Sequence, residues 1–373
     1  MAKNDLNPTL RNVMLTGFSS LGNVAMTIPI VYPVCLANPN VSFTLTTRKG
    51  NENLFVNKPA NLTVVGIEMT KYRTFAGAFK LAKNLLMRYN FDAVADLQGS
   101  AYTWCIDKYF RYKKVTVVTV DRCRKYCRKL TSGKIRNAIT PIQERMRDVM
   151  SNIGLDTGDE FVSIINYGEP INSKIVPEKG EEEKWIAIAP FTEHKGKAYP
   201  IEQMQMIIAE LARWDNIHIF LFGGGKNERA ILDPIMRRHK NVTSVPHIDD
   251  RTFADEYELM RHCDVMLTLD SANMHLASLV ETPVVSVWGA THPWCGEMGW
   301  HQALKDTVQL DLDCRPCSMT GNKRCRFGDY HCLHDISPEM IIKKVKRVLE
   351  RADEELSNQE DEETKGQDIK SDE

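Results

Sequence analysis

Residues 265–292 contain the polar side chains whose spacing most clearly suggests chemistry. The apolar run VMLTL predicts a strand that ends at Asp270, and MHLASLV has helical spacing until a Thr-Pro pair stops it before the strand VVSVW. Ligands of open α/β sheets bind beyond the carboxyl ends of strands, and free N–H groups at a helix start suit a phosphate. The candidates for a ligand site here are therefore Asp270, Ser271, Ala272 and His275.

A simpler interpretation exists for these side chains. Asp270 could only cap the following helix, and His275 could be a helix residue whose hydrogen bonds are satisfied inside the protein. For one isolated Asp or His that interpretation would be preferred. Here both residues follow the same strand end, which favours a site.

Two more strand ends carry polar groups. The loop PFTEHKGKAYP follows WIAIA and contains Thr192, Lys195 and Lys197, whereas GGGKNER follows IHIFLF and contains Glu228. Lysines offset pyrophosphate charge, a carboxylate accepts hydrogen bonds from ribose hydroxyls, and glycines let the backbone approach a ligand closely. Each segment alone could be a solvated loop or a plain turn, but together they predict a nucleotide pocket.

The elements that would position these loops alternate between strand and helix along the chain, which predicts an α/β fold with two facing Rossmann-like domains. Predicted strands of the first half are RNVMLTGF, VSFTLTT, NLTVVGI, DAVADL and KVTVVTV, and those of the second are WIAIA, IHIFLF, NVTSV, VMLTL and VVSVW. We expect a first domain at 9–166, a linker at 167–184 and a second domain at 185–337. A C-terminal helix at 338–352 should pack back on the first domain.

Composition narrows the class of protein. The 373 residues are 43% hydrophobic and 26% charged, as expected of a globular chain with two cores. The amino terminus has no signal-peptide pattern and no apolar run is long enough to span a bilayer, so we expect a cytoplasmic protein. Its ten cysteines are then expected to be thiols or metal ligands rather than disulfides. Because G-x-G-x-x-G is missing after the first strand, a nicotinamide enzyme is disfavoured.

Charge is unevenly distributed along the chain. Residues 107–147 contain thirteen Lys or Arg against three Asp or Glu, whereas residues 353–373 contain ten Asp or Glu against two Lys. The acidic tail has the composition of a disordered, solubilising end. The basic stretch could bind an anionic partner or could be a solvated loop.

Six segments together resemble the ADP-heptose:lipopolysaccharide heptosyltransferases, glycosyltransferase family 9: LGNVAMTIP, APFTEHKGKAYP, FGGGKNER, DSANMHLAS, GATHP and the CRPC segment. The resemblance extends over roughly residues 10–350. It implies a GT-B fold and inverting transfer of heptose from ADP-heptose to the lipopolysaccharide inner core, with no metal or other cofactor required. Transfer of a different nucleotide-activated sugar stays open as an alternative.

The resemblance also implies roles for individual residues. Thr192 and Lys197 match phosphate contacts, and Glu228 matches a ribose contact. The donor loop D-[ST]-G-x-x-H is matched by Asp270, Ser271, Ala272 and His275, with Ala272 in place of the family glycine.

A more serious departure concerns the general base, which in this family is an aspartate following a glycine. This chain has Gly22 and Asn23 there, and an asparagine side chain cannot accept the proton. Asp96 at the end of DAVADL is the favoured replacement, although it could equally be a helix cap, and His194 is the other candidate. If neither serves, the chain could be a non-catalytic nucleotide-sugar-binding protein.

A lipopolysaccharide acceptor carries phosphate and carboxylate groups and lies in an anionic membrane, so the resemblance also gives the basic stretch an interpretation. We expect peripheral contact with that surface, rather than with nucleic acid, through Arg122, Arg124, Lys125, Arg128 and Lys129. The solvated loop remains the alternative.

Four cysteines close the second domain as C-x₂-C-x₇-C-x₆-C: Cys314, Cys317, Cys325 and Cys332. The leading pair fits a zinc site, but the second pair is too widely spaced for the usual zinc ribbon. We interpret them as a local structural clasp in which metal binding is an open question.

Overall fold

A computed structural model describes residue 7, residues 9–248 and residues 250–351. The predicted acidic tail, 353–373, and residue 352 of the predicted last helix lie outside the described residues. Two separate parallel sheets form the body of the protein, one in each half of the chain. This confirms the predicted α/β class.

The first sheet has five parallel strands in the order β3-β2-β1-β4-β5. Leu15 of β1 lies opposite Leu45 and Ala95 on either side, and all three are fully buried because helices cover both faces. Its elements are β1 (Asn12–Gly17), α1 (Leu21–Ala25), α2 (Ile28–Ala37), β2 (Ser42–Arg48), β3 (Leu62–Ile67), α3 (Phe75–Tyr89), β4 (Ala93–Asp96), α4 (Ala101–Tyr112), β5 (Thr116–Thr119), α5 (Arg124–Thr131) and α6 (Ile142–Ile153).

The second sheet has six parallel strands in the order β11-β10-β9-β6-β7-β8. Its two-residue edge strand β11 has no counterpart among the strands predicted from the sequence. The elements are β6 (Lys184–Ala189), α7 (Ile201–Leu211), β7 (Ile217–Leu221), α8 (Gly225–Arg238), β8 (Val242–Ser244), α9 (Phe253–His262), β9 (Val265–Leu269), α10 (Ala272–Ser278), β10 (Val284–Val287), β11 (Thr307–Val308), α11 (His331–His334) and α12 (338–351).

Each sheet reverses its strand order at one point, between β1 and β4 in the first sheet and between β6 and β9 in the second. At such a reversal the two loops leave the carboxyl ends of neighbouring strands in opposite directions and open a crevice between them. The loops in question are 18–20 and 97–100 in the first domain and 190–200 and 270–271 in the second. The site residues predicted for the second domain lie on its loops at this reversal or in the first turns of α8 and α10.

The two halves pack directly against each other. A Cβ atom placed on Gly22 in α1 would lie 3.2 Å from both the Ala272 Cα and the His275 Cδ2 of α10, so only a small residue suits this approach. One apolar core contains both Leu15 of the first sheet and Trp185 of the second. Among the described residues, no helix has the length and apolar character needed to cross a membrane.

The C-terminal helix corrects one prediction, because α12 packs on the second domain rather than the first. Ile341, Val345 and Val348 form its buried stripe at helical spacing and belong to the core cluster of β6, β7 and β9. The connection between α11 and α12 is short. The Tyr199 hydroxyl holds it in place by donating a hydrogen bond to the Ile336 carbonyl oxygen at 2.8 Å. The helix therefore stays beside the sheet it follows.

Replacing Ile341 with Ala should lower the free energy of unfolding by about 2–5 kcal/mol, because it leaves a cavity under a fully buried side chain. Denaturant titration measures the loss, and hydrogen exchange should show weakened protection in β6 and β7. Met340→Ala is the matched control, since its side chain is 40% exposed and should cost little. Loss of protection confined to the first sheet would contradict the packing described above.

Candidate functional site

A cleft of about 780 Å³ lies between the two domains and is lined by the loops after β1, β6, β7 and β9. We call it the donor cleft, after the nucleotide-sugar donor that the sequence leads us to expect there. It brings together most of the side chains that the sequence singled out: Asn23, Thr192, His194, Lys197, Glu228, Asp270, Ser271, Ala272 and His275. Lys195 is exposed and does not line it, so the two lysines of one loop point to different places.

An ion pair stands at the strand-order reversal of the second sheet. The Lys197 Nζ, from the loop after β6, lies 2.9 Å from the Asp270 Oδ2 at the end of β9, and the Thr291 hydroxyl donates to the same oxygen at 2.7 Å. The side chains of Lys197 and Asp270 are only 14% and 5% exposed. Ser271, not Asp270, is the N-cap residue of α10, so the helix-cap interpretation of Asp270 is wrong.

His275 lies one helical turn into α10 and is buried against this pair. Burial lowers the pKa of its imidazole to about 4, against an opposite effect from Asp270. The ring is therefore neutral near pH 7. Its buried Nδ1 has no hydrogen-bond partner among the described residues, which leaves an uncharged polar atom in the wall of the donor cleft.

Glu228 is placed by the glycine-rich start of α8. Its Oε2 accepts a hydrogen bond from the Gly224 N–H at 2.6 Å, which fixes the carboxylate beside the donor cleft. Gly225 has a φ of +72°, a left-handed conformation that favours glycine at this turn. The glycine run thus serves to orient Glu228.

The CRPC segment braces the loops that hold Lys197 and Thr291. The buried Arg315 guanidinium donates to the carbonyl oxygens of Trp288 at 3.1 Å and Thr291 at 3.0 Å, and also to that of Gly289. A Cβ atom on Gly196 would lie 2.6 Å from the Gly321 carbonyl oxygen, so the Lys197 loop and the cysteine-rich segment meet backbone to backbone.

The four clasp cysteines lie on this bracing segment. Their thiols are free, as are the other six in the chain, and Cys314 Sγ lies 3.8 Å from His331 Nε2. Within the described ranges, no three His, Cys, Asp or Glu side chains are arranged to hold a metal ion. The structural clasp stays a prediction.

Asp96 lies outside the donor cleft. It is fully buried at the end of β4, where its Oδ1 accepts from the Thr16 hydroxyl at 2.5 Å and from the Gln98 N–H at 3.0 Å. Burial and the nearby Asp96 raise the pKa of Asp107 above its usual range. These contacts tie Asp96 to loop 97–100, and Asp96 lines a separate depression with Arg122 and Lys125 rather than the donor cleft.

Asn23 does face the donor cleft, on the first-domain side. Its Nδ2 donates to the Ser19 Oγ at 2.7 Å, which fixes the amide orientation. His194 lines the opposite wall. The sequence did not single out Arg48, Glu297, Thr320 or Asn322, which also line the cleft. Glu297 follows the GATHP segment by only a few residues, but its residue type and position carry no motif.

A second cavity, of about 450 Å³, adjoins the donor cleft on the first-domain side, and we call it the basic pocket. Arg122, Arg124, Arg128 and Arg145 line it, while Lys125 lines a neighbouring depression and Lys129 lines neither. In the part of the chain that the structure describes, none of the five predicted basic residues forms an ion pair with an acidic side chain. Their charge is therefore available to an anion.

The known proteins to which this chain is similar include heptosyltransferases. The model of glycosyltransferase family 9 (heptosyltransferase) matches residues 78–331. Lipopolysaccharide heptosyltransferase 1 of Pseudomonas aeruginosa is 23% identical over 325 residues, which cover 82% of this chain and 85% of that protein. Lipooligosaccharide heptosyltransferase 2 of Campylobacter jejuni is 27% identical over 136 residues, or 36% of this chain. That match spans only 41% of the relative's length.

A solved structure, the E. coli heptosyltransferase WaaC with ADP, superposes with a TM-score of 0.62 at 17% identity, covering 91% of this chain and 99% of that one. A family 9 glycosyl transferase from Veillonella parvula superposes with a TM-score of 0.67 at 14% identity, covering 93% and 100%. At these identities the likeness shows the fold, and it confirms the predicted GT-B-like arrangement of two Rossmann-like domains.

Asp270→Asn should lower the free energy of unfolding by roughly 1.5–3 kcal/mol, because it removes a charged partner from a largely buried lysine. Lys197→Met combined with Asp270→Asn should cost less than the sum of the single changes, since no unpaired charge remains. Urea titration provides the measurement. Lys195→Met, two residues away and exposed, is the control, and strictly additive losses would show that the ion pair is not coupled.

Proposed function

Because the chain belongs to glycosyltransferase family 9, we propose that it transfers heptose from ADP-heptose to the inner core of lipopolysaccharide, with inversion and without a required metal ion. The observation that carries this proposal is the juxtaposition of two cavities between the domains. One is lined by groups suited to a nucleotide diphosphate, and the other by cations suited to an anionic acceptor.

On the donor side, the loop after β6 contributes the Lys197 ammonium group and the Thr192 hydroxyl to the wall of the donor cleft. Together they suit the pyrophosphate. Glu228 is oriented through one oxygen by Gly224, which leaves the other for ribose hydroxyls. Ala272 leaves room for the diphosphate to approach the backbone closely, since its small side chain packs against Gly22 rather than filling the cleft.

On the acceptor side, the unpaired arginines of α5 and the preceding loop face the anionic groups of a lipopolysaccharide core. We assign Arg122, Arg124 and Arg128 to the acceptor because they line the basic pocket. Lys125 and Lys129 are exposed on the same helix and suit an anionic membrane surface nearby, at about 1 kcal/mol per charge. A protein with this contact would work peripherally at the cytoplasmic face of the membrane.

The arrangement of the two cavities supports the proposed inversion, in which the acceptor hydroxyl attacks the anomeric carbon on the face opposite the departing diphosphate. The donor cleft holds the diphosphate against the second domain through Lys197, and the basic pocket opens from the first-domain side. Attack and departure would then take place on opposite sides of the sugar. Such direct displacement needs no covalent intermediate on the protein.

Lys197→Ala should weaken ADP binding by roughly 10- to 100-fold, as expected for loss of a charge-assisted phosphate contact of about 1.5–3 kcal/mol. Calorimetry with ADP measures this, and Lys195→Ala serves as the control because that lysine lies outside the cleft. The parent should also release ADP from ADP-heptose and add heptose mass to a heptose-deficient lipopolysaccharide. Transfer from another nucleotide sugar instead would contradict ADP-heptose as the donor. Binding of the nucleotide sugar without any transfer would favour a non-catalytic binding protein.

Reversal of Arg124, Lys125 and Arg128 to Glu should reduce sedimentation with phosphatidylglycerol-rich vesicles and leave ADP affinity unchanged, since the three residues lie outside the donor cleft. Raised salt should weaken sedimentation of the parent in the same way. Lys343, Lys346 and Arg347 of α12, reversed together to Glu, provide a control with the same change of charge on another exposed surface. Equal sedimentation of the parent and the reversed variant at low salt would contradict membrane contact and favour the alternative that the basic stretch is only a solvated surface.

A further inference from the structure

Glu297 lies where the donor cleft and the basic pocket meet. The two cavities share three lining residues, Ser19, Glu297 and Thr320. Of the described residues that line the basic pocket, Glu297 is the one that carries a carboxylate. A group in both walls is placed to contact a donor sugar and an acceptor hydroxyl at once.

Backbone contacts with the first domain hold Glu297 at this boundary. The loop after β10 leaves the second sheet, and its Gly296 carbonyl accepts from the Ile142 N–H at 2.9 Å. On the other side of Glu297, the Met298 carbonyl accepts from Gln143 Nε2 at 3.2 Å. Gly296 has a φ of +71°, and a Cβ atom there would lie 3.0 Å from the Thr140 carbonyl oxygen, so the close approach depends on glycine.

Other carboxylates around the donor cleft are engaged or face elsewhere. Asp270 is bound to Lys197 and Thr291, and Glu228 accepts from the Gly224 N–H. Glu193 is exposed and does not reach the basic pocket. By contrast, the half-buried Glu297 carboxylate makes no hydrogen bond or ion pair within the described part of the chain.

The surroundings of Glu297 act on its carboxyl group in two directions: some favour the ionised form, and others raise its affinity for a proton. Burial raises the pKa of its carboxyl above the ordinary 4.5, and Asp270 acts in the same direction. Lys197 of the second domain and Arg122 and Arg145 of the first oppose that shift by favouring the carboxylate. The thiols of Cys127 and Cys295 and the neutral His275 also lie around this position, and Arg124 and Arg128 line the basic pocket with Glu297.

We propose that Glu297 is the general base of the transfer reaction, a role that rests on the proposed function. As the acceptor oxygen forms its bond to the anomeric carbon, its proton passes to the Glu297 carboxylate. The bond between that carbon and the diphosphate oxygen breaks, and the nucleoside diphosphate leaves with the bonding electrons. Glu297 thus supplies the proton acceptor that the Asn23 amide cannot provide.

Glu297→Gln should lower kcat for transfer from ADP-heptose to heptose-deficient lipopolysaccharide by ~10²–10⁴-fold. ADP affinity should be unchanged or tighter, because the substitution removes a negative charge near Lys197. The active form of Glu297 is ionised, so kcat/KM of the parent should fall as pH drops through its raised pKa. The Gln variant should lack that acidic limb, whereas Glu297→Asp should keep a limb at a lower rate.

Two matched variants sharpen the test. Glu144→Gln removes an exposed carboxylate from α6 beside the same domain boundary and should leave rate and pH profile unchanged. Asn23→Asp, added to Glu297→Gln, should restore part of kcat because residue 23 lines the same cleft from the first domain. A structural role for Glu297 would not allow rescue by a carboxylate on another element.

The outcomes separate the two proposals. An active parent with an equally active Glu297→Gln variant and an unchanged acidic limb overturns the assignment of Glu297 and leaves the transferase proposal standing. A parent that binds ADP but turns over no nucleotide sugar overturns both. If Glu297→Gln fails to bind ADP, the Glu297→Asp variant decides, because a kcat equal to the parent's, rather than the lower rate expected, contradicts the proposal.

Discussion

The ion pair between Lys197 and Asp270 is the interaction on which the arrangement of the donor cleft depends. It joins the loops after β6 and β9 at the point where the second sheet reverses its strand order, and a third contact from Thr291 ties in the loop after β10. A charge as sheltered as Asp270 is stable only with such partners. Conversely, the ion pair keeps the Lys197 side chain in the wall of the cleft instead of leaving it extended into solvent.

The rest of the second domain supports that pair. Arg315 gathers the carbonyl oxygens of the loop after β10, and the cysteine-rich segment meets the Lys197 loop at Gly196 and Gly321. This gives the CRPC segment a physical role that needs neither a thiol reaction nor a bound ion. The same loop after β10 continues to the first domain, so a single chain segment connects the ion pair to the domain boundary.

The two domains therefore divide the chemistry between them. The second domain offers a cation, a carboxylate oriented by a glycine turn, and a neutral histidine, which suit a nucleotide diphosphate. The first domain offers arginines without acidic partners in the described structure, which suit an anionic acceptor. Glu297 belongs by sequence to the second domain and by backbone contacts to the first, so only the assembled protein places its carboxylate between the two cavities.

The residue pattern alone was enough to predict the two parallel sheets and the sheet edge at which Asp270, Ser271, Ala272 and His275 lie. Buried parallel strands need nearly continuous apolar runs, so VMLTL and its neighbours identify both the strands and the loops at their ends. Other features depend on which distant segments meet in the folded chain, and a repeating residue pattern carries no such information. Asp96 is buried against its own loop and does not line the donor cleft, Lys195 also lies outside that cleft, and α12 packs on the nearer sheet. Periodicity is a local property of the chain, whereas the position of Glu297 follows from contacts between its loop and the start of α6, more than 150 residues apart in sequence.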